Sequence, residues 1–523
     1  MNLLLFCVLL LLFNIDVIQS FCEQIFDENN VKVQCYYSAL TEINDVENSE
    51  TFAELDVEAG QLEYLPKYAF NYPKLTRLTL RRCDIQTVDN ETFSNQPLLI
   101  YLDLSDNKLQ SLPLNLFQNN KQLQNLKLNE NKISNINEDT FISLTSLIEL
   151  DLSHNQLSNL PNIFKSLTQL QELNLSWNQI KNIQAELFQE NVNLKTVTLD
   201  WNPIIHINFQ SGSAITELNL NFCKLSELKQ SDFINLRNLK ILRVGFNQIT
   251  ELEPDTFQEN TLLMELDLSD NRLKVIPPGL FNRLPNLKKL SIRANQLSEI
   301  SLDIFKYNLK LEELRLDGNK ITQLDSQVFR FLTNLELLDL SRNHLTVILN
   351  DSFDHLVKLN FLSLDYNDIS QIEPDLFDKL INLKKLRLGY NNLTRLEPNL
   401  FFKNIELNFL SLTKIGLTDI PNGTFNSFHE GNKNETSELL ELDLSENRLR
   451  HLSANSFSPL SHLITFDVSF NNIDSIDRNL FKSMRNLSVI KMSYNWLDNL
   501  PEDVFDNLEN VLNLDLEGNH LTN

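Results

Sequence analysis

The chain has 523 residues, 70 acidic against 45 basic, and a formal charge of −25 at neutral pH. So acidic a surface argues against nucleic acid as a partner, because phosphate binding draws on clustered lysine and arginine. Beyond the N-terminal leader no run of 18 apolar residues occurs, so no membrane span is expected.

Residues 1–20 read as a secretory signal peptide: Leu3 to Leu12 is an apolar run, and Ser20 precedes an expected cut at Phe21. Removing Asp16 with it takes the charge from −25 to −24. Residues 21–51 are expected to cap the stacked repeats that follow, since an array exposes its core at its end. A Cys22–Cys35 disulfide should pin a short hairpin there, with Val31 and Val33 on the second strand.

From residue 52 to 523 a repeat of about 24 residues runs through the chain in about 20 copies, the last incomplete. Leu102-Asp103-Leu104-Ser105-Asp106-Asn107-Lys108-Leu109 returns at Leu126 to Ile133, at Leu150 to Leu157 and still at Leu514 to Leu521. The L-x-L core has strand period, so Leu266 and Leu268 should point inward and Asp267 outward. One copy cannot bury its leucines alone; stacked copies bury them against each other. Asn holds the turn after the strand in 16 of the 20 copies, where its amide can bond backbone of its own turn and of the next repeat. Cys83 and Cys223 replace it twice, Gly60 and Ile415 once each. Six repeats separate the two cysteines, roughly 29 Å at strand spacing. A disulfide needs Cα atoms within about 7 Å, so two buried free thiols are expected. Ten residues after the Asn slot, or nine in one case, 18 of the 33 phenylalanines should form a stacked spine.

The pattern L-x-x-L-x-L-x-x-N-x-L-x-x-L-x-x-x-x-F resembles the typical class of extracellular leucine-rich repeats, shared by Toll-type receptors, chaoptin-like and Slit-like proteins. The resemblance covers roughly Phe52 to Asn523. It implies an α/β solenoid by convention, mostly strand and coil: a curved horseshoe with a concave parallel β-sheet that serves as the binding surface.

The repeat breaks in three places. Between Asn202 and Cys223 one copy shrinks to 21 residues, contains Gly212 and lacks Phe at the usual place, Phe209 coming early. Between Ile415 and Asn447 eight extra residues fall within 426–438, a polar stretch expected to project as a loop. At Leu521-Thr522-Asn523 the chain stops inside a repeat, which would expose Leu514, Leu516 and Leu521 unless a longer chain or a partner covers them.

On the concave face the slot before the Asn carries Trp177, Trp201, Phe222 and Phe246 in four successive copies, and later Tyr366, Tyr390, Phe470 and Tyr494. An exposed aromatic strip is a candidate ligand-binding surface, although such rings can equally cover the Asn turn. Arg243, Lys289, Arg293 and Arg315, with Lys288, Lys384, Lys385 and Arg387, could steer an anionic partner or be solvated strand residues. Glycosylation sequons stand at Asn90, Asn174, Asn350, Asn392, Asn422, Asn434 and Asn486. Asn174 falls on the concave face, where a glycan would crowd Trp177.

No catalytic constellation, metal-ligand spacing or phosphate-cradling glycine loop occurs, so neither enzyme activity, cofactor nor metal is expected. The reading is a secreted or cell-surface recognition protein that binds a protein or glycoconjugate in adhesion, signalling or innate immunity, as a monomer or as a homo- or heterodimer. The alternative is an organiser of extracellular matrix.

Overall fold

The computed structural model describes residues 21–27, 30–40, 43, 52–209, 214–428 and 439–522. The leader, the Asn434 sequon, Gly212 and Asn523 lie outside the described residues. The chain divides into two units, 1–224 and 225–523.

In the first unit, Phe21–Asp27 and Asn30–Tyr36 form an antiparallel hairpin, closed by the Cys22–Cys35 disulfide. The second hairpin strand pairs in parallel with Glu54–Glu58, so the hairpin continues the sheet of the repeats. Val33 is fully buried against it. Short parallel strands follow at one per repeat through Glu217–Asn219. The second unit repeats the plan from Ile241–Arg243 to Asn513–Asp515. Register is uniform: Glu265, Leu266 and Asp267 pair with Lys289, Leu290 and Ser291. Strand period buries Leu266 and leaves the residues on either side half-exposed. Opposite the sheet lie turns and single-turn helices such as Gln230–Phe233 and Ala454–Phe457. Leu512 and Leu514, in the last copy, are 90% and 41% exposed.

From Asn107 to Asn495, each Asn at the turn is a buried cross-link. Asn107 Nδ2 donates to Leu80 O at 2.7 Å and to Leu104 O and Ser105 O at 3.0 Å. Its Oδ1 accepts from the N–H groups of Cys83 and Ile85 at 3.0 Å. Two of these bonds stay in its own turn, as the sequence suggested; the others run to the repeat before and not to the next one. The reason is steric: each turn tucks under the strand end of its predecessor, whose Leu80 carbonyl would otherwise be orphaned. Cys83 imitates this, its thiol donating to Val57 O at 3.4 Å and Arg81 O at 3.2 Å. Cys223 does so toward Leu199 O and Asn221 O at 3.7 and 3.6 Å. Both cysteines are free and buried.

The phenylalanine spine forms within each unit, with ring centroids of successive copies about 6 Å apart, as for Phe93–Phe117 and Phe281–Phe305. Phe209 comes early in the short repeat, yet it is buried and stacks on Phe188 at 6.0 Å. The shortened copy thus keeps its spine ring. A second ladder, legible as F-x-x-N, runs beside the spine. Asn120 Nδ2 donates to Phe93 O and Gln96 O of the preceding copy, and Asn191, Asn260, Asn308 and Asn404 repeat the bond.

Candidate functional site

The residue before each turn Asn has a left-handed backbone: φ is 54° at Trp177, 56° at Trp201, 53° at Phe222 and 54° at Phe246. This places the aromatic slot beyond the strand. Glu172–Asn174 ends three residues before Trp177. The slot therefore lies in the turn at the edge of the sheet, and not on the sheet face where the sequence had located it. A left-handed residue aims its side chain out of the turn, so successive copies line up as a column. In the first unit the column reads Glu130, His154, Trp177, Trp201, Phe222. His154 Nδ1 lies 3.4 Å from Glu130, its ring stacks on Trp177 at 5.1 Å, and Trp177–Trp201 and Trp201–Phe222 stack at 4.2 and 4.0 Å. Ring faces are thus spent on one another, and the 43% and 40% exposure of Trp177 and Trp201 belongs to their edges.

Phe246 opens the second unit and lines an open groove of about 360 Å³ with Asp267, Asp270, Lys289, Arg293, Glu313 and Arg315 among others. Four of the residues picked from the sequence, Phe246, Lys289, Arg293 and Arg315, are therefore brought to one place. The bases are not free to form a positive field. Arg315 Nε donates to Glu313 at 2.6 Å and Arg243 Nε to Glu265 at 3.0 Å. Lys289 lies 3.9 Å from Glu313, and Arg293 sits between Asp270 and Asp317 at 3.8 and 3.7 Å. Such half-exposed pairs contribute little stability, but they neutralise the cations, so attraction for a simple polyanion is weak. Asp270 Oδ2 and Asp317 Oδ1 are buried without a hydrogen-bond partner, and burial pushes both carboxyls above their usual range.

Further along, the column reads Arg342, Tyr366, Tyr390, Lys414, Glu446. The Arg342 guanidinium lies 4.4 Å over Tyr366, the two tyrosines stack at 4.1 Å, and Lys414 stands 5.2 Å from Tyr390. Tyr390 Oη and Lys414 Nζ both donate to Glu446 at 2.9 Å. Sequence reasoning marked the tyrosines but missed the column. Its signal was the charged residues in the same slot.

Asn90, Asn350, Asn392, Asn422 and Asn486 are exposed. Asn174 is half-buried, and its Oδ1 accepts from Ser176 N at 3.1 Å and Ser176 Oγ at 2.8 Å. The Asp of L-D-L-S makes the same contact in other copies, Asp151 with Ser153 among them. The Asn174 sequon thus arises where Asn takes a turn-capping role usually held by Asp.

A family model for the leucine rich repeat matches residues 73–133, 109–157, 121–180, 213–273, 261–320, 309–369, 362–416 and 461–521, well over half of the chain. The chain belongs to the leucine-rich repeat family. A search of curated proteins found no match. Among solved structures, the Leptospira interrogans leucine-rich repeat protein LIC12759 is similar at 27% identity, over 75% of this chain and 95% of that one, with a TM-score of 0.63. The Drosophila Toll–Spätzle complex aligns at 20% identity over 91% of this chain and 68% of that one, TM-score 0.63. A TLR13–ssRNA13 complex aligns at 22% identity over 96% and 93%, TM-score 0.53. The last two show the shared fold alone. Among the described residues, no helix is long and apolar enough to cross a membrane and no cluster suits a metal ion.

Proposed function

We propose that the chain acts outside the cell as a recognition protein that binds a protein or glycoconjugate in adhesion, signalling or innate defence. The groove between Phe246 and Arg315 carries this reading. It is open, lined by interleaved charges of both signs and edged by an exposed ring, which suits a polypeptide of mixed charge better than a small substrate needing an enclosed, water-free pocket. The Cys22–Cys35 disulfide and the exposed sequons support an extracellular location. Toll was solved with the protein Spätzle and TLR13 with RNA. The charge of −25 and the paired groove cations favour a protein over RNA for this chain.

The test is secretion followed by capture. The full chain, expressed in a secretory host, should leave the cell with its N-terminus at Phe21. It should bind saturably to one member of an array of extracellular proteins. Replacing Phe246, Lys289 and Arg293 together by Ala should weaken capture about tenfold or more without lowering the melting temperature. Retention inside the cell, or capture indifferent to the triple variant, would overturn the reading.

A further inference from the structure

Along the turns of the second unit runs another groove, of about 470 Å³, lined by His344, Tyr366, Asp368, Tyr390, Asn392 and Lys414 among others. His344, Asp368 and Asn392 each follow the buried turn asparagine of successive copies. Copies stand about 4.8 Å apart, so the groove reaches roughly 10 Å from Asn392 back to His344, the length of a disaccharide. Asn392 begins the sequon Asn392-Leu393-Thr394. Its backbone N–H is fixed by donation to Ile369 O at 2.9 Å, while its exposed side chain makes no hydrogen bond among the described residues. The sequon side chains of Asn174 and Asn422 are by contrast engaged, with Ser176 and Ser456.

The lining is polar, and its charges are answered within the chain. Lys414 Nζ donates to Glu446 at 2.9 Å, and Asp368 faces His344 Nδ1 at 3.6 Å. Tyr366 and Tyr390 spend their ring faces on each other and on Arg342 and Lys414, which leaves their edges to the groove. Little here attracts a charged polypeptide. A neutral amino sugar fits better: its acetamido methyl can pack on ring edges, while its hydroxyls and amide bond the exposed Asp368 carboxylate and His344 imidazole.

We propose that the chain's own glycan fills this groove: an oligosaccharide N-linked to Asn392 lies back along it over Asp368 and His344. The inference rests on the extracellular location proposed above, since the sugar donor is a polyisoprenyl diphosphate oligosaccharide of the secretory route. In the transfer, Asn392 Nδ2 bonds the anomeric carbon and gives up one proton. The bond from that carbon to the diphosphate oxygen breaks, and the diphosphate leaves with the electron pair. Because the glycan is tethered inside the groove, contacts too weak to capture a free sugar suffice to hold it. The covered groove is closed to partners, and recognition is left to the groove between Phe246 and Arg315.

Site-specific glycan mapping of the full chain, secreted from a mammalian host, tests this. The Asn392 glycan should be present and stay oligomannose, because trimming enzymes cannot engage a sugar held against protein. Glycans at the exposed Asn90 and Asn486 should mature to complex forms. On the native protein, peptide N-glycosidase should release the Asn392 glycan about tenfold more slowly than those two, the factor that about 1.4 kcal/mol of packing supplies. After denaturation the rates should match. His344→Ala combined with Asp368→Ala should restore maturation and release at Asn392 and leave Asn90 and Asn486 unchanged; the comparison of sites in the parent chain stands even if that variant does not fold. An unoccupied Asn392, a glycan there as mature and as readily released as at Asn90, or one indifferent to the double variant would overturn the proposal, and with other sequons occupied would leave the extracellular reading standing. A chain retained in the cell with no sequon occupied would overturn both.

Discussion

Trp177 and Trp201 stack face to face at 4.2 Å, each on a backbone held at a φ near +55°. L-residues avoid that conformation at a cost of about 1–2 kcal/mol. A ring stacked on its neighbours recovers about 0.5–1.5 kcal/mol beyond its buried area. The column thus offsets a strain that the Asn turn imposes once per repeat.

Trp201→Gly removes the strain together with the stack and the ring's buried area, so it should destabilise by less than a variant that loses the ring and keeps the strain. Trp201→Val puts a β-branched side chain at positive φ and loses the ring, and should destabilise by about 1–3 kcal/mol. Denaturant melts of both variants compare them. A Gly variant as damaged as the Val variant would mean that the ring does more than balance the turn.

Asn271 donates to Val244 O, Leu268 O and Ser269 O and accepts from Ile249 N, all within 3.2 Å. Asn271→Ala leaves these buried groups bare and should cost about 3 kcal/mol or more. Asn271→Cys, which copies the arrangement at Cys83, should cost less. Urea denaturation would show whether the order is Asn, then Cys, then Ala.

Phe209→Ala opens a cavity in the spine beside Phe188, and should cost about 3–5 kcal/mol despite lying in the shortened repeat. A loss below about 1 kcal/mol would show that the short copy packs independently of its spine ring.

Burial pushes the Asp365 carboxyl up from 3.8 to about 6, against a hydrogen bond from Gly389 N at 2.6 Å that favours its charge. The folded state therefore holds its proton more tightly than the unfolded chain. The stability this confers is complete below about pH 4, is lost as pH rises to about 6, and is absent above. Asp365→Asn keeps an acceptor for Gly389 and has no proton to lose. At pH 7 it should be more stable than the parent by about 1–2 kcal/mol, with the gain shrinking as pH falls toward 4. Melts at pH 4 and 7 give the sign directly; a gain at pH 4 equal to that at pH 7 would contradict it.

Burial also pushes the Cys83 and Cys223 thiols up to about 12. A protonated, inaccessible thiol is a poor nucleophile. Ellman's reagent at pH 8 should find no reactive thiol in the native protein and two per chain in guanidinium. Rapid native labelling would place at least one of them at the surface.

Much of this molecule is written locally. The strand period of Leu266 and Leu268, the Asn slot, the phenylalanine spacing and the pairing of Cys22 with Cys35 recur or stand alone in the sequence, and each has a short-range physical reason. Repetition makes them legible, because every copy restates the same burial problem. The tertiary structure decided what depends on neighbours one repeat away. Only stacking shows that Asn107 bonds backward to Leu80, that Phe209 regains the spine, and that the groove cations are answered by Glu265, Glu313, Asp270 and Asp317. The left-handed turn that lifts Trp177 off the sheet is likewise invisible in the letters, since tryptophan has no preference for it; the crowded turn imposes the conformation and the neighbouring ring makes it tolerable. Sequence set the period, and packing between periods set which faces remain open to a partner.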